Sequence, residues 1–149
     1  MPIIKFPKIK WKSQKSRPLK RSIQNETAII YCEDNFGKID GKTANGLVRY
    51  SEKYKILSVI DSTKAGQNSG MVLDNKVNDI PIDHDLAEAL KKAEKTPDNF
   101  IFGMAPLSGM LSVQERGIIL EAINLGMNIV NGLHEFLNDD REFAVASAA

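Results

Sequence analysis

Thr27-Ala-Ile-Ile-Tyr-Cys32 is an unbroken apolar run, followed by Glu33-Asp-Asn-Phe-Gly37-Lys-Ile-Asp-Gly41 and then Lys42-Thr-Ala-Asn-Gly-Leu-Val-Arg-Tyr50. The run has the length and β-branched, aromatic content of a buried strand, and the Gly, Asp and Asn residues after it mark a loop. A short helix is expected from Lys42 to Tyr50. Outward from this unit the alternation repeats. Lys55 to Ile60 reads as a second apolar strand ending in Asp61, and Ser62 to Gly70 as a loop without periodicity, a candidate ligand loop. Pro81 confines Asp79-Ile-Pro-Ile82 to a short edge strand. Asp85 with Glu88 opens a helix carrying Leu86, Leu90 and Ala93 on one face. Asn99 to Gly103 is another buried strand and Met104 to Leu111 a loop. Ser112 with Glu115 is a capping box for a helix that Gly126 ends, with Leu120 and Ile123 expected on its core face. Asn128 to Asn131 is a last short strand, and the polar stretch from His134 to Asp140 leads into a terminal helix.

This series predicts a Rossmann-like α/β three-layer sandwich with a mostly parallel sheet, strand order 3-2-1-4-5, and right-handed crossovers. In such sheets ligands sit beyond the carboxyl ends of the strands where the order reverses. The loops expected at that edge are Glu33 to Gly41, Asp61 to Gly70, Met104 to Leu111 and Asn131 to Glu135.

The chain of 149 residues has a net charge of +1, but residues 1 to 21 carry eight basic side chains and no acidic one, leaving 12 basic and 19 acidic residues after them. Residues 1–24 are therefore read as a basic arm and 25–149 as one domain. Ile4, Phe6, Ile9 and Trp11 interleave with the arm's lysines, a pattern suited to docking on a partner or on the acidic domain itself; nucleic acid is the less expected partner, and Pro2, Pro7 and Pro18 disfavour a membrane-lying helix. No apolar run approaches the roughly 18 residues of a membrane span, and the charged first residues do not resemble a secretory signal, so a cytoplasmic location is expected. Cys32 is the single cysteine, which excludes an intramolecular disulfide and a cysteine metal cage; no metal site is expected.

Gly37-Lys-Ile-Asp-Gly41-Lys42-Thr43 stands where a phosphate-binding loop would, yet it is one residue short of a Walker A spacing, and Phe36 occupies the first glycine's position. A looser phosphate site remains open, built from Gly37, Gly41, the Lys42 and Thr43 side chains and the helix N-terminus. Asp61, with Ser62 beside it, lies where a dinucleotide fold places a ribose-binding acid, although no G-x-G-x-x-G is present. The small residues from Gly103 to Gly109, including Ala105 and Pro106, suit a ligand lying against backbone. His134 and Glu135 come after the last strand; the zinc-protease pattern fails at Asn138, and His134 is the candidate acid or base. His84, between Asp83 and Asp85, reads as structural, and Cys32 lacks an evident base.

Phe36-Gly37, Gly41-Lys-Thr-Ala44, Gly46-Leu-Val-Arg-Tyr50, Val59-Ile-Asp-Ser62, Ala65-Gly66, Ile80-Pro-Ile82 and Gly132-Leu-His-Glu-Phe-Leu137 with Asp139-Asp140 together resemble a domain-of-unknown-function family. Members of that family resemble a Rossmann-like domain followed by a P-loop domain, and some are described as D-glutamate or D-amino-acid N-acetyltransferases. The resemblance runs over about residues 27 to 143 and implies a phosphate-bearing ligand, acetyl-CoA or a nucleotide, with the P-loop half missing after Ala149 and the isolated chain therefore inactive. The Pro81 strand, the Ala105-Pro106 loop and the Leu120 helix are also similar to the CoA-binding domain of succinyl-CoA synthetase. The chain is thus expected to be part of an amino-acid N-acetyltransferase, a non-catalytic nucleotide-binding module, or an interaction or oligomerisation module, including a homo-oligomer, that works through the arm.

Overall fold

A computed structural model describes residues 25–105, 108–132 and 137–149. Five strands, β1 (Glu26–Tyr31), β2 (Tyr54–Ile60), β3 (Ile82–Asp83), β4 (Asn99–Phe102) and β5 (Asn128–Asn131), form one all-parallel sheet in the order β3-β2-β1-β4-β5. Five helices accompany it: α1 (Lys42–Tyr50), α2 (Ser69–Asp74), α3 (Leu86–Lys92), α4 (Val113–Asn124) and α5 (Arg141–Ala148). The order reverses at β1, the strand built on the apolar run from Thr27.

Because the strands are buried on both faces, alternate residues of β1 feed two cores. Ala28, Ile30 and Cys32 pack with Phe36, Ala44, Leu47, Val48, Val72 and Leu73 under α1 and α2. Ile29 and Tyr31 pack with Leu86, Ala89, Phe100, Phe102, Ile119, Ala122 and Phe143 under α3, α4 and α5. The Tyr31 ring stacks on those of Phe100 and Phe102, with centroids 6.0 and 5.5 Å away.

β2 obeys the same alternation only because it contains a bulge. Ala28 pairs with Ile56 but Ile29 pairs with Ser58, so Leu57 is the extra residue. Without it, Ile56 and Val59 would point to opposite faces; with it both enter the α1/α2 core, while Ile60 enters the other. Ser58 then meets Asp83 across the strand pair, its hydroxyl donating to the carboxylate at 2.6 Å.

Two expectations need correction. The stretch from Ser62 to Gly70 is not structureless: a 3-10 turn spans Ser62–Lys64, and α2 begins at Ser69. Asn68 caps that helix by accepting from the Gly70 and Met71 amides, and Asn75 ends it at φ 54°. The edge strand is Ile82–Asp83, beginning three residues later than expected and ending one later, because Pro81 instead bridges antiparallel to Asn68. On α4, Leu120 and Ile123 pack half-buried against the core, as expected, beside the fully buried Ile119 and Ala122. The capping box of Ser112 and Glu115 has both of its hydrogen bonds.

Candidate functional site

The carboxyl ends of β1 and β2 lead into loops that hold each other. Asp61, immediately after β2, is fully buried and accepts from the amides of Asp34 (3.1 Å), Phe36 (3.2 Å) and Thr63 (3.0 Å) and from the Thr63 hydroxyl (2.6 Å). Lys64 Nζ lies 3.6 Å from the same carboxylate. In the other direction, Glu33 accepts from the Ser62 amide (2.9 Å) and the Ser62 hydroxyl. The expected ribose acid is therefore turned inward, where it fixes the loop after β1. Ser62 is held by Glu33.

That loop does not wrap an anion. Phe36 is fully buried in the α1/α2 core, an anchor contributing roughly 2–3 kcal/mol of transfer free energy. Asn45 locks the turn after it, accepting from the Gly37 amide at 2.9 Å and donating to the Lys38 carbonyl at 3.1 Å. The amides of Gly41, Lys42 and Ala44 donate to the carbonyls of Lys38, Ile39 and Gly103. The expectation that this turn presents free N–H groups to a phosphate is thereby corrected at these positions. A Cβ on Gly41 would fall 2.1 Å from the Asn35 carbonyl oxygen, so this glycine is required by close approach. Lys42 and Thr43 remain exposed on the first turn of α1. Ala105 is exposed and its amide donates to the Asp40 carbonyl at 2.9 Å, joining the loop after β4 to the loop after β1. Pro106, His134 and Glu135 lie outside the described residues.

Beside this clasp, a crevice of about 430 Å³ opens between α3 and α4. Tyr31, Ile60, Leu86 and Ile118 line its apolar part, Glu33 and Ser62 come from the two interlocked loops, His84, Asp85 and Ala87 from the start of α3, and Gln114 and Glu121 from α4. A groove of about 800 Å³ lies at the opposite edge, by Glu26, Lys55, Lys92, Lys95, Asp98 and Asn128. It is the larger, but it sits at the starts of the strands; the loops that converge beyond the reversed strand order are at the carboxyl edge, where α/β sheets bind ligands.

Burial pushes the Tyr31 hydroxyl up to about 12, assisted by the negative charge of Glu33 and Glu115. Burial does the same to the Cys32 thiol, also to about 12, with Asp61 adding to it. Cys32 is thus a protonated, buried thiol at neutral pH, unsuited to nucleophilic work. Asp85 caps α3 through the Glu88 amide, which holds its carboxyl below the usual aspartate range, and His84 Nδ1 lies 3.2 Å from it. Among the described residues no group of His, Cys, Asp and Glu is arranged to hold a metal ion.

From the sequence, Glu33 is placed at this edge only as the first residue of the loop after β1, Tyr31, Asp85 and Glu121 are not singled out, and His84 is read as structural. The available signal was the spacing of Tyr31 and Glu33, the last residue of β1 and the second after it. Two residues apart at a strand end, they share a side of the sheet.

Comparison with known proteins agrees with the fold. Residues 62–149 match the family model described as a domain of unknown function (DUF1611_N), Rossmann-like domain. A crystal structure of a DUF1611 family protein from Anabaena variabilis is similar over 82% of this chain, with a TM-score of 0.72 and 29% sequence identity. The chain spans 34% of the length of that protein. No curated protein matches the chain. Among the described residues no helix is long and apolar enough to cross a membrane. The chain belongs to the DUF1611_N Rossmann-like domain family.

Proposed function

We propose that residues 25–149 form a small-molecule-binding domain that holds a phosphate-bearing ligand, a nucleotide or a CoA-type molecule, across the carboxyl edge of the sheet. The observation that carries this reading is the crevice between α3 and α4, which opens beside the interlocked loops after β1 and β2. The phosphates would lie toward the exposed side chains of Lys42 and Thr43, near the positive end of the α1 dipole. The ligand would extend past Ser62, with Ala105 and Pro106 on the loop after β4. Gly37 and Gly41 shape this loop rather than donate to the ligand. Asp61 acts behind the site as a positioning residue.

In this reading the domain is one part of an amino-acid N-acetyltransferase whose turnover needs a further domain, with residues 1–24 a separate basic arm. His134 and Glu135, three and four residues after the end of β5, are the first candidates for moving a proton from an acceptor amine. The test is thermal melting of the chain with acetyl-CoA, CoA, NAD, NADP and Mg-ATP. A ligand at about 100 times its dissociation constant adds roughly 2.7 kcal/mol, a shift of several degrees for a domain of this size. A shift with acetyl-CoA and CoA supports the acetyltransferase reading; a shift with NAD or ATP alone replaces it with a nucleotide-binding one. No shift with any of the five removes the nucleotide and CoA proposal.

A further inference from the structure

The larger groove, at the amino edge of the sheet, has no occupant in the reading above. The chain enters the described fold through its wall, since Asn25, Glu26 and Thr27, the first residues described, line it. Leu57, Ala89 and Ala93 give it an apolar floor. Leu57 is the extra residue of the β2 bulge, half-buried and packed in neither core. A bulge re-aims a side chain, and this one is turned to the groove. One leucine beside two alanines makes a shallow floor that suits a flat ring.

Residues 1–24 lie outside the described residues and directly precede that wall. They carry a net charge of +8, and the rest of the chain carries −7. Within the groove, Lys92 is paired with Asp83, and Lys95 lends its charge to Asp98. Glu26 gives one carboxylate oxygen to Asn99. Lys55 and Glu94 have no hydrogen-bond or ion-pair partner among the described residues. The groove is thus close to neutral in itself, while the opposite net charges draw the arm onto the domain at longer range.

We propose that the groove at the amino edge is the docking site of this chain's own basic arm. Trp11 lies on Leu57, Ala89 and Ala93, and its neighbours Lys10 and Lys12 reach Glu94 and the free carboxylate oxygen of Glu26. The groove's volume of about 800 Å³ has room for the indole and the residues beside it. The 14 residues from Trp11 to Asn25 can span up to roughly 45 Å, so the tether reaches the groove with slack. It also holds the ring at an effective concentration of roughly millimolar, so a contact too weak to join separate molecules forms within one chain. The arm then covers the amino edge and leaves the carboxyl edge open, so this proposal and the nucleotide reading can each fail alone.

Trp11 is the single tryptophan, so the full chain carries its own probe. The experiment combines Trp11 emission and acrylamide quenching with methyl chemical shifts, comparing the parent chain with Trp11→Ala, Glu94→Lys and Leu57→Asn. The proposal expects blue-shifted emission and quenching several-fold weaker than that of free N-acetyltryptophanamide. It also expects ring-current shifts at the methyls of Leu57, Ala89 and Ala93 that disappear in Trp11→Ala, a change confined to the arm. Glu94→Lys alters an exposed side chain and should red-shift the emission while leaving the circular dichroism unchanged; Leu57→Asn should do so more strongly. High salt should weaken the protection. Emission and quenching like those of free tryptophan, or Trp11-dependent shifts centred away from the groove, would overturn the proposal. So would signals that grow with protein concentration, which would seat the arm on a second copy.

Discussion

Glu33 and Asp61 hold the two loops beside the crevice by reaching in opposite directions: Asp61, after β2, accepts amides of the loop after β1, and Glu33, after β1, accepts the amide and hydroxyl of Ser62 after β2. Neither carboxylate merely decorates a strand end. The pair sets the distance between two loops that a ligand at this edge must touch.

Removing Asp61 should therefore cost more than a surface change. Asp61→Ala leaves the buried Phe36 amide and the neighbouring Asp34 and Thr63 amides without their acceptor, and a loss of about 3 kcal/mol or more is expected. Asp61→Asn should fall in between, since one oxygen still accepts. Urea unfolding of the three chains decides it; equal midpoints would show that the loop finds other partners.

The glycines separate two effects. Gly41→Ala and Gly103→Ala place a Cβ 2.1 Å from the Asn35 carbonyl oxygen and 2.6 Å from the Ile30 side chain, so both should destabilise. Gly46 and Gly117 lie in α1 and α4 with open space where a Cβ would go. Alanine there should stabilise by about 0.5–1 kcal/mol through helix propensity. Thermal melts of the four variants should fall on two sides of the parent chain.

Arg116 ties α5 to α4. Its guanidinium donates to both oxygens of Asp140 (2.9 and 3.1 Å) and to Glu142 (2.7 Å), and it lies 4.6 Å from the Phe143 ring centroid. Arg116→Lys keeps the charge but loses the planar fork and its stacking. Both Arg116→Lys and Arg116→Ala should speed hydrogen exchange in α5, the alanine more, with little change in β1. Protection of α5 equal to that of the parent would mean that Phe143 alone docks the helix.

Alkaline pH should loosen the fold through Tyr31 and Cys32. Burial raises both to about 12, so the folded chain holds these protons more tightly than the unfolded one. Their contribution is full below the unfolded values of about 8.5 for cysteine and about 10 for tyrosine, and it is lost progressively as pH rises toward about 12. Urea midpoints measured from pH 7 to 11 should decline, and in Cys32→Ala the earliest part of that decline should vanish. A flat profile in the parent chain would contradict the burial of both groups.

Much of the fold was legible because it obeys local rules. The buried run from Thr27, the helix from Lys42 to Tyr50, the paired signals at Ser112 and Glu115, and the alternation of elements lead to the observed strand order. The six-residue helix at Ser69 was hidden, being too short to show a period, although Asn68 and Asn75 mark its ends. The site was less legible. A strand-end aspartate reads the same whether its carboxylate faces a ribose or three amides of its own chain, and only packing turned Asp61 inward. Phe36 gave a better hint, since a large apolar residue at a phosphate loop's glycine position folds the loop onto the core. The crevice joins residues from β1, α3 and α4, and no local pattern brings those together.

The central claim is that ligands meet this domain at the carboxyl edge, and chemical-shift mapping with acetyl-CoA and Mg-ATP on the full chain tests it most directly. The account predicts saturable perturbations at Lys42, Thr43, Ser62 and Ala105, with none at the start of β2. Perturbations centred instead on Lys55, Lys92 and Lys95, at the larger groove across the sheet, would contradict it.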